Sequence, residues 1–135
     1  MTRCSTGSGR RCAEPLFVGS DFCRVHAFGR NHPLAIPRVS AVMELCEALG
    51  WLDDRSFRRA PSAGIERLVG LHDRRYVEAL RQADASGTVE PEVRARHHFG
   101  NLENPLFPGV FERAATAVGG SILAAELALE GRVVF

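Results

Sequence analysis

The sequence contains no lysine, and all 17 of its positively charged residues are arginine. This absence excludes catalysis through a lysine Schiff base and a phosphate-binding loop of the type that requires a lysine. The formal net charge is only +1. A nearly neutral chain lacks the positive potential that holds nucleic acid or an anionic membrane surface, so neither is expected as a partner.

Long apolar runs are missing as well. No stretch approaches the ~18 residues needed to cross a bilayer. The basic N-terminus is not followed by a hydrophobic segment of signal-peptide length, so we expect a cytoplasmic protein. The 135 residues, 45% hydrophobic and 24% charged, have the balance of one globular domain.

Cysteines are few and irregularly spaced, at Cys4, Cys12, Cys23 and Cys46. In a chain without a secretion signal this spacing does not indicate a disulfide framework. The first three, together with His26, could supply four zinc ligands, which leaves a small zinc-binding adaptor as one alternative. Structural zinc sites usually present two tight ligand pairs, however, and Cys4 and Cys12 do not form one.

The chain divides into a tail and one incomplete domain. Residues 1–14 are polar and aperiodic, which predicts a disordered tail before a domain at residues 15–135. The apolar run Leu16-Phe17-Val18 predicts a buried strand, and the breaker residues from Asp21 to Pro37 predict a loop. At the other end, Val133-Val134-Phe135 predicts the start of a second buried strand.

Apolar residues at helical spacing predict the helices. Their ranges are Arg38–Leu49, a turn or two from Ile65 to Gly70, Asp73–Ala85 and Gly109–Glu130. Cys46 lies on the apolar face of the first helix and is expected in the core. Trp51 and Leu52 are expected to anchor that helix against the core.

The later part of the chain carries further expectations. In the helix from Asp73, the side chains of Tyr76, Val77 and Leu80 should point inward. The last helix is apolar nearly all round and should be buried on more than one side. Its Gly119-Gly120 pair suggests close approach of another backbone, because glycine is costly inside a helix. The stretch from Glu90 to Pro108 is predicted to be irregular.

The order strand, loop, helices, strand predicts a parallel sheet covered by helices. Two strands with helices on one side would leave a sheet edge and a helix face uncovered. The sequence is therefore expected to be the front of a larger domain, and the isolated chain is expected to self-associate.

Five motifs, kept in order and spacing, resemble the zinc-dependent histone deacetylase family, most closely its bacterial acetoin-utilisation and acetylpolyamine amidohydrolase-like members. They cover an N-terminal signature, the start of a helix, a loop before a long helix, that long helix, and the strand after it. The motifs are His32–Val39, Leu71-His72-Asp73 with Tyr76-Val77, Leu102–Pro105 with Phe107, Ala117–Ser121 and Val133–Phe135.

The resemblance implies the α/β parallel-sheet domain known as the arginase/deacetylase fold, of which this chain would supply a helix-rich N-terminal part. In the family, zinc activates water and polarises the amide carbonyl of acetyl-lysine or an acetylated polyamine, and a histidine acts as general base. The metal ligands, paired histidines and catalytic tyrosine would lie beyond Phe135. This chain alone is thus expected to bind no zinc and to be inactive. A catalytically inactive remnant or interaction module is the alternative.

The resemblance also assigns residues around the pocket. Arg38 aligns with a buried arginine beside the internal acetate channel, although from the residues alone it is a surface arginine in a first helical turn. Glu103 aligns with the acidic residue, often aspartate, that accepts hydrogen bonds from substrate backbone amides at the pocket rim. His26, Phe28 and His32 fall in the loop that shapes the pocket entrance.

His97-His98 is a poor substitute for the paired histidines of the family. The pair lacks the surrounding glycines and the preceding strand, and adjacent residues on a helix point about 100° apart. We expect both side chains to be structural or exposed, and His72 and Tyr76 to serve in packing.

Overall fold

The computed structural model describes residues 14–24, 35 and 38–135. Most of the predicted tail and the stretch from 25 to 34 lie outside these residues. The described elements are β1 (Phe17–Gly19), a 3-10 turn (Asp21–Arg24), α1 (Arg38–Ala48), β2 (Phe57–Arg59), α2 (Ile65–Leu68), α3 (Arg74–Ser86), α4 (Pro91–His97) and α5 (Val110–Leu129). Among them, no helix combines the length and apolarity needed to cross a membrane.

Strand β1 has a parallel neighbour on each side. On one side it pairs with β2, with Phe17 opposite Phe57. On the other side Leu16 forms a parallel bridge with Val134, and the Leu16 N–H donates to the Val133 carbonyl at 2.8 Å. The predictions of a strand near residue 16, of a C-terminal strand segment and of parallel pairing are confirmed.

Two features of the sheet differ from expectation. Strand β2 was not predicted, because its sequence Phe57-Arg58-Arg59 shows no apolar alternation and its pairing depends on the backbone of β1. The C-terminal segment was predicted to be buried, but the side chains of Val133 and Phe135 are exposed, although their backbones form hydrogen bonds with Leu16 and Val18.

Helix α3 confirms its predicted position and its inward face. The Asp73 side chain accepts a hydrogen bond from the Arg75 N–H at 2.7 Å and caps the N-terminus, as short polar acceptors do. Gly87, at φ 68°, ends the helix in the left-handed conformation that glycine adopts without strain. Val77 is only 4% exposed, and Tyr76 and Leu80 are half-buried. The central cluster of buried side chains contains Ala63, Leu68, Val77 and Ala115.

Helix α5 makes the close approach that its two glycines predict. A Cβ atom on Gly119 would lie 1.9 Å from the Pro61 carbonyl oxygen, which leaves no room for any side chain. A Cβ on Gly120 would lie 3.1 Å from the Cβ of Ala60 and 3.7 Å from a methyl of Val18. The helix therefore packs against both the 60–63 segment and β1. Its fully buried residues, Ala115, Thr116 and Gly119, lie on one face, and Ala117 and Leu129 are exposed, so part of the apolar surface of the helix is uncovered.

Helix α1 is found close to its predicted range, but its burial differs. Ser40 and Met43 are buried, whereas Val42 is 53% exposed and most other apolar residues of the helix are also exposed. Cys46 is half-buried. The predicted anchor is wrong for Trp51, which is 70% exposed. The helical spacing of apolar residues predicted where α1 lies, but it did not predict which of its side chains are buried.

The segment predicted to be irregular contains helix α4. Pro91 occupies its first turn, where the missing N–H costs no hydrogen bond, and basic residues fill its last turn. His98 then closes the helix in the left-handed region at φ 56°, with its N–H donating to the Arg94 carbonyl. Residues 99–108, which we call the rim loop, follow without regular structure.

Candidate functional site

The rim loop (residues 99–108) joins α4 to α5 and carries Glu103, the acidic residue assigned to the pocket rim. Its first residue, Phe99, is 3% exposed. The Phe99 ring lies 5.3 Å from the ring of Tyr76 and 5.5 Å from that of His97, centroid to centroid. Packing of these rings fixes the start of the loop against α3 and α4.

A tight turn centred on Asn101 shapes the backbone around Glu103. The Asn101 Oδ1 accepts hydrogen bonds from the Glu103 N–H at 3.0 Å and from the Asn104 N–H at 2.7 Å. The Asn101 Nδ2 donates to the His98 carbonyl at 3.0 Å, and the Gly100 N–H donates to the Asn104 carbonyl at 2.8 Å. The Asn101 side chain thus connects His98, at the end of α4, to the backbone of Glu103 and Asn104.

The far end of the rim loop is fixed by Asp84 on α3. Its carboxylate accepts hydrogen bonds from the Gly109 N–H at 2.7 Å and the Phe111 N–H at 3.1 Å. Gly109 has no side chain with which to cap α5, so a neighbouring helix supplies the acceptor. A carboxylate near the C-terminal end of a helix opposes the helix dipole. The position of Asp84 near the end of α3 was the only sign in the sequence that this residue caps α5, and the sequence-based prediction did not include it.

A cavity of about 310 Å³ lies between α3, the rim loop and α5. Its walls are mainly apolar and aromatic, and Glu103 and Arg113 contribute the charged groups. The lining includes Tyr76, Leu80, Phe99, Glu103, Phe107 and Arg113. Arg113 also donates to the Phe22 carbonyl at 2.8 Å, which ties α5 to the segment after β1.

The Glu103 side chain is exposed, and its carboxylate makes no hydrogen bond or ion pair with any residue that the structure describes. Its backbone is held by Asn101, while its charge faces solvent beside the cavity. A carboxylate group offers two oxygen atoms that accept hydrogen bonds. This arrangement suits the binding of N–H donors from a second molecule.

The other predicted pocket residues are not gathered around Glu103. Arg38 is the first residue of α1, its side chain is exposed, and it does not line the cavity. His26, Phe28 and His32 lie outside the described residues.

The adjacent histidines His97 and His98 have different surroundings. The His97 ring stacks on Phe99 and meets Tyr76 edge-on at 5.7 Å, whereas the His98 side chain is exposed. His72 lies against Tyr76 with ring centroids 6.1 Å apart. His97 therefore has a packing role, and its neighbour points to solvent.

The residues that the structure describes do not fit a zinc site. Among them, no group of three or more His, Cys, Asp or Glu side chains is placed to hold a metal ion. Cys4, Cys12 and His26 of the alternative zinc site, and the side chain of Cys23, lie outside the described part of the chain.

Comparison with known proteins gives one consistent result. A family model of the histone deacetylase domain matches residues 32–135. The acetoin utilization protein AcuC of Bacillus subtilis (strain 168) is 27% identical over 119 residues, which cover 88% of this chain and 30% of the relative. AcuC of Staphylococcus aureus (strain MSSA476) is 26% identical over 121 residues, which cover 90% of this chain and 31% of the relative.

Solved structures agree. An HDAC homolog complexed with SAHA superposes with a TM-score of 0.82 at 29% identity, covering 91% of this chain and 33% of that structure. An HDAC homolog from Aquifex aeolicus superposes with a TM-score of 0.84 at 28% identity, covering 90% of this chain and 33% of that structure. The chain spans about a third of the length of these relatives. The predicted fold, the N-terminal part of an arginase/deacetylase-type α/β domain, is confirmed, and the chain belongs to the histone deacetylase family.

Proposed function

We propose that this chain forms the substrate-binding side of a zinc-dependent deacetylase that hydrolyses acetyl-amide bonds, on acetyl-lysine or an acetylated polyamine. In this proposal Glu103 binds backbone or chain N–H groups of the substrate at the pocket rim. The observation that carries the proposal is the exposed Glu103 carboxylate, without a partner among the described residues, on a loop held at both ends beside an apolar cavity.

The geometry favours binding over chemistry for Glu103. A carboxylate that accepts N–H donors forms charge-assisted hydrogen bonds, which are about twice as strong as neutral ones. Exposure to water lowers this gain, since the free carboxylate is already well solvated. The bonds form equally with bound substrate and with the transition state, so they lower KM and leave kcat unchanged.

The metal centre and the proton-transferring residues are proposed to lie in other parts of the enzyme. Zinc, where bound, would activate a water molecule and polarise the acetyl carbonyl. The described residues would contribute the sheet, the covering helices and the rim. Arg38 is proposed, by resemblance alone, to border an internal channel for acetate. Cytoplasmic localisation also remains a prediction.

A chimeric enzyme tests the proposed role of Glu103. The complete chain replaces the matching segment of the Bacillus subtilis relative, and steady-state kinetics are measured with an acetyl-lysine peptide. Glu103→Gln removes the charge at nearly constant size, and we expect KM to rise about tenfold with kcat within about twofold. An unchanged KM would refute the role of Glu103 in substrate binding.

A matched control is available at the other end of α5. Glu130 is an exposed carboxylate at the C-terminal end of this 20-residue helix, about 30 Å from its start. Glu130→Gln makes the same chemical change far from the rim and should leave both KM and kcat unchanged. A parallel rise in KM for both variants would show that the effect follows from net charge rather than from the rim.

Exposed apolar residues on and after α1 favour the second candidate, an interaction module without catalysis of its own. Val42 and Trp51 are among them, and exposed apolar surface of this kind promotes association. Self-association of the isolated chain remains a prediction. Sedimentation velocity of the purified chain tests it, and a monomer at high protein concentration would contradict it.

A further inference from the structure

The rim loop contains a short stretch that packing does not hold. Phe99 is buried and Pro105 is half-buried, but residues 101–104 between them are all exposed. Leu102 is 74% exposed and contributes no buried surface. The hydrophobic effect, which is proportional to the apolar area removed from water, therefore cannot define the position of Glu103. Hydrogen bonds must do so.

Asn101 provides those hydrogen bonds within the described chain. Its amide oxygen accepts from the N–H groups of Glu103 and Asn104, at 3.0 and 2.7 Å. Its amide nitrogen donates to the carbonyl of His98, the residue that closes α4. The turn is thereby connected to a helix whose neighbouring rings are packed. A mobile Glu103 would lose backbone entropy on binding, and a preorganised one avoids much of that cost.

We propose that Asn101 is the positioning residue for the rim carboxylate: it holds the Glu103 backbone in its binding conformation before substrate arrives. This inference rests on the proposed function of Glu103. It adds that substrate affinity depends on a side chain that does not itself touch the substrate. Arg94 supports the same turn by donating from Nη1 to the Gly100 carbonyl at 3.1 Å.

The test compares three variants of the chimeric enzyme. Asn101→Ala removes all three side-chain hydrogen bonds, and we expect KM to rise about three- to tenfold with kcat within about twofold. Asn101→Asp keeps the acceptor oxygen for both N–H groups and loses only the bond to His98. It should restore KM to within about twofold of the unsubstituted chimera.

The third variant is a matched control at a second turn of the same type. Asp53 Oδ1 accepts from the N–H groups two and three residues later, those of Arg55 and Ser56, both at 2.9 Å. This turn precedes β2 and does not line the cavity. Asp53→Ala removes an equivalent turn and should leave KM unchanged. An equal rise in KM for Asp53→Ala and Asn101→Ala would overturn the specific role of Asn101.

Amide hydrogen exchange of the full chain gives a readout that does not depend on activity. In Asn101→Ala the Glu103 and Asn104 amides should exchange about two- to tenfold faster, while the Val77 amide keeps its rate. Unchanged exchange at both rim amides would overturn the proposal. An unchanged KM in Asn101→Ala alone would overturn only the role of Asn101, whereas an unchanged KM in Glu103→Gln would overturn the proposed function beneath it.

Discussion

Helices α1 and α3 have similar lengths, 11 and 13 residues, but they differ in how far their apolar side chains are buried. In α3 the apolar residues predicted to face inward are buried or half-buried against α2 and α5. In α1 only Ser40 and Met43 are buried, and the other apolar positions are largely exposed. The spacing of apolar residues indicates where a helix lies, but the burial of its apolar side chains depends on which other elements pack against it.

The difference divides the molecule into a packed part and an open part. The packed part comprises α2, α3, α5 and the 60–63 segment, with Ala63, Leu68, Val77 and Ala115 at its centre. The open part comprises α1 and the turn that leads to β2. Burial of apolar side chains stabilises the packed part, whereas in the open part Met43 is buried but the exposed apolar side chains of α1 contribute little.

The largest loss of stability is expected for a substitution at Gly119, where the packed part has no space for an added atom. Gly119→Ala places a Cβ 1.9 Å from the Pro61 carbonyl oxygen, and a backbone atom cannot rotate away. We expect the free energy of unfolding to fall by about 3 kcal/mol, although alanine favours helix over glycine by about 1 kcal/mol. Urea denaturation followed by circular dichroism measures the change.

The neighbouring glycine is the control for that prediction. At Gly120 the nearest atom to an added Cβ is a methyl carbon 3.1 Å away. The gain in helix propensity and the mild crowding nearly cancel, so Gly120→Ala should change stability by less than about 1 kcal/mol. Equal effects at both positions would contradict the close approach at Gly119.

A pair of identical substitutions tests the contrast between the two helices. Val77→Ala in α3 empties a site that is 4% exposed, and we expect a loss of about 2 kcal/mol in the free energy of unfolding. Val42→Ala in α1 changes a residue that is 53% exposed, and the effect should stay below about 0.5 kcal/mol. Chemical denaturation of both variants measures the difference. A larger loss for Val42→Ala would mean that α1 is covered in solution.

The smallest expected effect is the contribution of Asp53, in the open part, to the pH dependence of stability. Hydrogen bonds from the Ser56 backbone and hydroxyl, and then from the Arg55 N–H, lower the pKa of Asp53. A carboxyl whose pKa is lower in the folded chain contributes stability above its unfolded pKa of about 4. That contribution disappears as the pH falls through the folded value.

Asp53→Asn isolates this contribution because asparagine keeps the acceptor oxygen of the turn but does not titrate. The difference between the urea midpoints of the two proteins should be constant above the unfolded pKa of a carboxyl and should change, at the expense of the unsubstituted chain, as the pH falls through the lower folded pKa of Asp53. An offset that is the same at all pH values would show that the charge of Asp53 adds nothing to the turn.

The secondary structure could be predicted where its signals were local. Asp73 and Gly87 cap α3, and both are visible in the sequence. Strand β2 has no such signal, because it consists of a phenylalanine and two arginines and is stabilised by pairing with a distant strand. Helix α4 did carry local signals, Pro91 at its start and basic residues at its end, but the following loop residues obscured them.

The candidate site could be predicted only in part. Resemblance to a family identified Glu103, since an exposed glutamate in a loop has no distinguishing pattern of its own. The residues that hold the loop, Asn101 and Asp84, were missed because their partners are backbone N–H groups. Backbone donors occur at nearly every position, so their use becomes visible only in three dimensions.

The most direct test of the proposed function is hydrolysis of an acetyl-lysine peptide with zinc present, by the chimeric enzyme and by the isolated chain. We predict that the chimera, once shown to unfold cooperatively, releases acetate and loses this activity when a chelator removes zinc. The isolated chain should release none. A folded chimera without activity, or zinc-dependent hydrolysis by the isolated chain, would contradict the assignment of this segment to the substrate-binding side of a deacetylase.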